Sequence, residues 1–570
     1  MKKTLLSFSL LGCTLLAQAQ TPKYEWARNM GGSLNTVGAS VAVDNLGNVY
    51  TAGTYDGTSD FDPNNLSTAF LTSNGKEDIF ITKFNSAGEF IWAKSIGGSG
   101  TDLVHQLKLD GAGSPYLIGS YEATVDFDPN TSGTQNLTAE GAADIFVVKL
   151  DVMGNYLWAK SFGGATDDKG IALDIKGPDL VITGYFTDTI NFNPSLPAAK
   201  HSCKGGADVF ITKLTLSGAY VWSKSIGGVS DEEGKSINLD NRGNLLVAGF
   251  FNGSVDFDPN LGTYFRAADA ARDAYVLKLT KDGAFDWVKI LGGKGFDGAQ
   301  TVLTDSSNSI YTVGYFTSLV DFDPSPGDAI LNPGTSSSIF IQKMDSAGNY
   351  KWAKGFNASI TGYSQSAALD YLGNIYLTGY FIAPIDFGVG SGISNLNAVG
   401  FEDAFIIKMY PSGKYASVNK IGGTKYENGF SLIMGSTGEM YGTGLFSGTV
   451  DFDAGTNVAN VAASPAGVSD AFVFKWSNFP SSIRETGIKN EELISIFPNP
   501  NQGSFTIQLL ENKPKATFEI ANALGQIIYQ QNKFGNSNSI NLTAVPSGLY
   551  IIRLLEEDKV IATKKIMIQQ

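Results

Sequence analysis

The chain has 570 residues, a formal net charge of −14, 66 glycines, 12% aromatic and only 17% charged residues. The acidic balance argues against a nucleic-acid surface, which needs clustered Lys and Arg. The glycine and aromatic content suits short strands and tight turns rather than helical bundles or disorder.

Residues 1–20, MKKTLLSFSLLGCTLLAQAQ, read as a secretory signal peptide: a basic start, an apolar run over 4–16 and a small-x-small site at Ala17–Ala19. LLGC at 10–13 offers a lipoprotein cleavage site as the lesser alternative, because the apolar run continues past Cys13. No later stretch is apolar enough to span a bilayer. Cleavage leaves one cysteine, Cys203, so no internal disulfide is expected. With only His105 and His201, there is little for a His-based metal site or a Ser-His-Asp triad.

From residue 21 the chain is one unit written seven times. Trp falls at 26, 92, 158, 222, 287 and 352, spaced by 64 to 66 residues. WAKSIGG, WAKSFGG, WSKSIGG and WVKILGG share one phrase, and VNKIGG at 418–423 is a copy without Trp. A fixed long period marks a stacked array. Each period holds four strand-like pieces, in the first unit 39–44, 48–55, 78–84 and 90–96. DNLGN and NSAGE supply tight turns, and the other two joins are longer. The chain starts with a lone fourth strand, 24–30, and the last unit stops after its third, 470–476. The reading is an all-β, seven-bladed β-propeller over 21–476, closed by the N-terminal strand. The phrases GNVYTAG, GNIYLTGYF, DIFITKF and WAKSIGG resemble those of secreted bacterial β-propeller repeats, a resemblance that informs fold more than function.

A phrase of the type DFDP recurs in the long loops. Its Phe is constant (61, 127, 192, 257, 322, 387, 452), the preceding residue is Asp in six copies and Asn191 in one, and the following residue varies. The constant member is the hydrophobe, which favours a buried ring anchoring the loop, with the preceding Asp bonding backbone amides. The alternative is calcium, with Asp60, Asp62, Asp126, Asp128, Asp256, Asp258, Asp321, Asp323, Asp451 and Asp453 as oxygen ligands. No other cofactor is expected.

Two further columns read as structural. Lys recurs at 83, 149, 213, 278, 343, 408 and 475, and in most units it is expected to pair with the Asp that closes the first strand (44, 110, 174, 240, 305 and 370, with Gly435 in the last), as Asp44 with Lys83. Gly53, Gly119, Gly184, Gly249, Gly314, Gly379 and Gly444 are read as close backbone approach rather than a phosphate loop.

Residues 477–492 form a polar linker, and 493–570 alternate as a small β-sandwich. This tail resembles the C-terminal sorting domain of type IX secretion cargo at Pro498, Asn499, Pro500, Gly503, Gly525, Gly548, Tyr550, Lys564 and Lys565. The resemblance implies export through the periplasm and the outer membrane by the type IX machinery, then release or surface attachment.

The functional expectation is a non-catalytic, monomeric surface propeller that binds an extracellular protein or glycan, or serves as scaffold, through the face carrying the two longer loops. The alternative is a hydrolase or lyase of polysaccharide or peptide with carboxylates on that face. Unit three, with His201 and Cys203, and unit five's irregular FRAADAARDA at 265–274 depart most, and neither carries a visible oriented triad.

Overall fold

A computed structural model describes residues 22–477 except 65, 131–132, 324, 326, 335–336, 357–361, 383–384, 387–394, 456 and 465–467. It also describes 494–568 except 498–502, 510–516, 523–526, 533–536, 543–544, 547 and 557–558. The residues read as a signal peptide, nearly all of those read as a linker, Phe387, Pro498, Asn499, Pro500 and Gly525 lie outside the described residues. The chain divides into two compact units, the repeat array and the tail.

Successive groups of four antiparallel strands, each a sheet, make the array. Seven such groups are described, the first and second joined edge to edge through Gly97 and Gly98 and the seventh joined to the first hairpin through Gly31 and Gly32. The first comprises Thr36–Val43, Val49–Tyr55, Asp78–Phe84 and Phe90–Gly98 in that order. The next five follow the same plan. The seventh takes Glu427–Met434, Met440–Phe446 and Asp470–Ser477 from the end of the array and Lys23–Gly32 from its start. That last pairing runs from Lys23 opposite Ser477 to Met30 opposite Ala471. Short turns fix each register. Asp44 Oδ1 accepts the amides of Leu46 and Asn48, both at 2.9 Å, and Gly47 takes φ +78°, which suits glycine.

Each innermost strand carries a bulge, in the first sheet between Gly38 and Ser40, opposite the recurrent glycine Gly53. A Cβ on Gly53 would lie 1.9 Å from the Val37 carbonyl oxygen, and Gly119, Gly184, Gly249, Gly314 and Gly444 meet the matching carbonyl at 1.8 to 2.0 Å. The close-approach reading therefore holds at those six positions.

Innermost strands would expose unpaired edges. Here a side chain just past the bulge reaches across to the next sheet. Ser40 Oγ accepts the Leu107 amide (3.1 Å), Gln106 Oε1 that of Leu173 (2.6 Å), and Ser236 Oγ that of Val302 (3.1 Å). Ser366 Oγ accepts the Leu432 amide (3.4 Å), and Ser431 Oγ, in the seventh sheet, accepts the Val41 amide of the first at 3.3 Å. The apolar core is divided the same way, into clusters between consecutive sheets. One joins Trp26, Met30, Tyr441 and Val473 of the seventh sheet to Val41, Tyr55, Phe80 and Phe84 of the first. Each fully buried large side chain contributes about 2–3 kcal/mol.

In the tail, Ile494–Phe497, Ser504–Leu509 and Ser537–Asn541 form one sheet, and Ile527–Asn532, Thr517–Ala521, Gly548–Glu556 and Lys559–Ile568 another. One core built from Phe505, Ile507, Phe518, Ile520, Ile552 and Ile566 lies between them, as in a β-sandwich. Of the sorting-motif residues, Gly503 takes φ +88° and the buried Tyr550 donates its hydroxyl to the Pro546 carbonyl at 2.7 Å. Gly548 opens a strand on which Tyr550 also lies, and Lys564 and Lys565 lie on the last strand.

Candidate binding face

The two longer loops of each unit meet on one side of the array. The loop between second and third strands folds into a hairpin, such as Thr58–Asp60 against Phe70–Thr72. In the second and fourth sheets the hairpin continues the long strands themselves. The DFDP phrase closes each hairpin. Phe61, Phe127, Phe192, Phe257, Phe322 and Phe452 are at most 3% exposed. Phe127 meets Tyr121 edge-on at 5.3 Å and Phe146 tilted at 5.3 Å. The preceding carboxylate holds the turn: Asp126 Oδ1 accepts the amides of Asp128 (3.0 Å) and Gln135 (2.8 Å). Asp60, Asp256, Asp321 and Asp451 repeat both bonds. The second acid makes its own smaller turn, with Asp62, Asp128, Asp258, Asp323 and Asp453 each accepting the amide two residues on. The candidate calcium carboxylates are thus engaged by backbone donors, and among the described residues no group of three or more His, Cys, Asp or Glu is arranged to hold a metal.

The Gly-Gly phrase joins neighbouring sheets. Gly97 and Gly98, at the end of the first sheet, pair with Asp126 and Val125 of the second sheet's hairpin. Gly31 and Gly32 likewise pair with Asp60 and Ser59 of the first. The second glycine has no room for a side chain: a Cβ on Gly98 would sit 2.2 Å from the Thr124 carbonyl oxygen, and on Gly32 2.1 Å from that of Thr58. The first glycine makes space for a carboxyl group. A Cβ on Gly97 would sit 2.1 Å from Asp78 Cγ, and Gly163, Gly227, Gly292 and Gly422 face Asp144, Asp208, Asp273 and Asp403 in the same way.

These aspartates are buried in the third strands, opening them in the first, third and sixth sheets and lying within the longer strands of the second and fourth, each beside a second buried acid at the start of the next sheet: Asp102, Asp168, Glu232, Asp297 and Glu427. Sequence reasoning missed these pairs. The signal was present, as an Asp before six of the seven IFITK-like strands (the fifth has Ser338) and an acid four residues after five of the six joining Gly-Gly pairs (the first is followed by Thr36). The second acid accepts the second glycine's amide, as Asp102 Oδ2 from Gly98 at 2.7 Å. Oδ1 of Asp78, Asp144, Asp273 and Asp403 is buried without a partner. In the third sheet the Cys203 thiol fills this place, donating to Asp208 Oδ1 at 3.3 Å. Burial pushes Asp78 and Glu232 up to about 7 and Glu427 to about 8, with Asp102, Asp168 and Asp273 near 6.

The predicted Asp–Lys column is corrected. Lys149 reaches Asp110 at 3.1 Å and Lys343 reaches Asp305 at 3.8 Å, but Lys213 pairs with Asp179 and Lys278 with Asp286. Lys83 makes no ion pair with Asp44 and donates instead to the Val152 carbonyl of the second sheet. The first-strand aspartates are occupied by their own turns, and the lysine stem lies over a tyrosine of the second strand. Lys83 is 4.7 Å from the Tyr50 ring centre, and Lys149 and Lys343 match it over Tyr116 and Tyr311. The recurring partner of the ammonium is a turn carbonyl of the next sheet: Lys281 for Lys213, Ser346 for Lys278, Pro411 for Lys343 and Ser86 for Lys475.

Two segments read as irregular, one around His201 and Cys203 in the third sheet and one at 265–274, which belongs to the fourth sheet rather than to a fifth unit. His201 spans Ser223 (Nε2, 2.7 Å) and Ser225 (Nδ1, 3.2 Å) beneath its hairpin, and burial lowers it to about 4. Ser225 occupies the place of Ser95 and Ser161, whose partners are Tyr55 and Tyr121; the third sheet has Phe186 there, and histidine supplies the missing polar group. The Cys203 thiol is pushed up to about 11 by burial and by Asp208, the wrong direction for a nucleophile.

The FRAADAARDA segment lies in the long strand Phe265–Leu279 of the fourth sheet and carries the larger departure. Its Arg272 guanidinium lies 4.1 Å from the Phe250 ring and 5.7 Å from both Phe296 and Tyr315, and bonds the Tyr315 hydroxyl. Lys235 also lies over Phe250, at 5.5 Å, is bonded to Glu233, and lines a central cavity of about 620 Å³. All seven innermost strands contribute to that cavity. Two sheets on, Phe401 and Tyr426 stack at 4.8 Å and 12°, exposed at 62% and 45%.

Residues 495–569 match the family of secretion system C-terminal sorting domains, and residues 25–61 match a β-propeller repeat. The chain is 24% identical over 437 residues to an uncharacterized WD repeat-containing protein, L264, of Acanthamoeba polyphaga mimivirus, covering 63% of this chain and 31% of that one. It is 22% identical over 228 residues to the regulatory protein FlaEY of Caulobacter vibrioides, covering 37% and 22%. The chain therefore spans less than a third of the length of these relatives. Among solved structures, a protein of unknown function from Bacteroides caccae aligns with a TM-score of 0.25 at 12% identity, over 58% of this chain and 94% of that one. PorZ, a surface component of the type IX secretion system of Porphyromonas gingivalis, aligns with a TM-score of 0.22 at 9% identity, over 95% and 100%. Among the described residues, no helix is long and apolar enough to cross a membrane. The chain is exported to the cell surface or beyond, with residues 495–569 as its type IX secretion sorting domain, and its all-β array opens on a segment, 25–61, that matches a β-propeller repeat.

Proposed function

We propose that the seven sheets form one closed seven-bladed propeller, displayed outside the cell as a monomeric, non-catalytic binding module, with recognition on the face of the hairpins and Gly-Gly loops. Closure is supported by the pairing of Lys23–Gly32 with Asp470–Ser477 and by the Ser431 bond to Val41. Recognition on this face rests on one observation. The repeated columns there serve the joints between sheets, whereas the residues that break the repeat gather in the same loops, around Arg272 and at Phe401 and Tyr426. The non-catalytic reading is favoured because His201 is committed to two serines and the Cys203 thiol is raised. The DFDP carboxylates need no metal to hold their turns. The test is binding of the full-length secreted protein to arrayed extracellular glycans and proteins, compared with F401A/Y426A and F296A. Ligands retained by both variants would place recognition elsewhere.

A further inference from the structure

We infer that Arg272, Lys235 and Phe296, at the junction of the fourth and fifth sheets, form a subsite for a carboxylate-bearing sugar, a uronic acid unit of an acidic glycan. The inference rests on the recognition face proposed above and names its ligand chemistry. Arg272 has no counterpart in the repeat: the residue before the buried third-strand aspartate is Glu77, Ala143, Ala207, Glu402 or Ser469 in other sheets. A structural need does not explain it. Arg272 lies near enough to act on the carboxylate of Asp297, yet Asp102, Asp168, Glu232 and Glu427 are buried in the same position with no arginine before the paired aspartate.

The guanidinium is held by aromatic faces, not by an acid. Its one side-chain bond goes to the Tyr315 hydroxyl, and its Nε is buried without a partner. A guanidinium carries five donors in a planar fork that matches a carboxylate. Ring contacts fix its plane, so little rotamer entropy is lost on binding. Lys235, ion-paired with Glu233, places a second ammonium on the side of the central cavity, in a chain whose net charge is −14. Phe296, 58% exposed, offers an apolar face beside the guanidinium, suited to the C–H face of a pyranose. The exposed Phe401–Tyr426 stack recurs at the matching place two sheets on, since Tyr426 precedes Glu427 as Phe296 precedes Asp297. A repeated platform along one rim suits a polymer of rings better than a short acidic peptide.

The experiment is calorimetric titration of the full-length secreted protein with oligogalacturonate and with its methyl ester at low salt. The acid form binds, and the ester, which lacks the charge, binds roughly tenfold or more weakly, as expected for loss of a charged hydrogen-bonded pair. R272Q shows the same loss for the acid form and no preference between the two, R272K recovers part of it, and F296A, a surface change that leaves folding intact, weakens both forms. Wild-type protein that ignores the acid form, or R272Q that binds it undiminished, overturns the inference. If a neutral glycan or a peptide binds instead and F296A or F401A/Y426A abolishes it, the subsite assignment fails while the recognition face stands. If no ligand depends on either platform, both fail.

Discussion

Replacing Phe127 by alanine asks whether the hairpin phrase is a hydrophobic anchor or an ion site. Phe127 is fully buried against Tyr121 and Phe146, so F127A should cost about 3–5 kcal/mol, the range for truncating a buried aromatic. D126A removes an acceptor shared by two amides, Asp128 and Gln135, and should cost about 1–3 kcal/mol. D128A loses only a local turn, the bonds from the amide and side chain of Asn130 two residues on, whereas Asp126 also holds an amide nine residues on along the hairpin; D128A should cost about 1 kcal/mol or less. The predicted order is therefore F127A, then D126A, then D128A. Urea unfolding of each variant, with and without a chelator, reads it directly. If D126A and D128A cost the same, and chelation of wild-type protein costs as much as either, the carboxylates hold an ion and the anchor account is wrong.

Three further outcomes follow from the joints between sheets. G98A forces a methyl group to within 2.2 Å of a backbone carbonyl and should destabilise by about 2 kcal/mol or more, whereas alanine at Gly111, which has open space, should be nearly silent in the same urea assay. The raised carboxyl groups bind protons more tightly folded than unfolded, so their contribution is most favourable below about pH 4 and is lost as pH rises towards the 7 of Asp78 and the 8 of Glu427. E427Q should accordingly gain stability relative to wild type at pH 8.5 and lose that advantage at pH 5; a constant difference across that range would refute the assignment. Cys203, with its thiol raised to about 11 and bonded to Asp208, should react with a disulfide reagent far more slowly in native protein than in urea; equal rates would contradict the geometry.

Much of the fold was legible because the repeat compares the chain with itself. The Trp spacing, the constant Phe of the hairpin phrase and the mid-strand glycines each marked a place where packing tolerates one residue type. The Asp–Lys column misled because constancy identifies a constrained residue but not its partner. Asp44 is consumed by its own turn, and Lys83 crosses to the Val152 carbonyl of another sheet. The buried acid pairs were overlooked for a related reason. Asp78 and Asp102 stand 24 residues apart in different units, and nothing local says that the first glycine of Gly-Gly is small to admit a carboxyl group. The Arg272 cluster joins the fourth sheet to Phe296 and Tyr315 of the following loop and sheet, contacts that only the assembled structure displays.

Ring closure is tested most directly by a cysteine pair across the closing strands, K23C/S477C, in a C203S background, since these positions face one another in the seventh sheet. Mild oxidation should link them, give a chain that runs faster on a non-reducing denaturing gel, and raise the urea midpoint, because the bond closes nearly the whole array into one loop and stabilises by roughly 6 kcal/mol on chain entropy. Failure to link under conditions that oxidise a control pair within one hairpin, or a link that lowers the midpoint, would show that the first strand lies elsewhere and that the array is open.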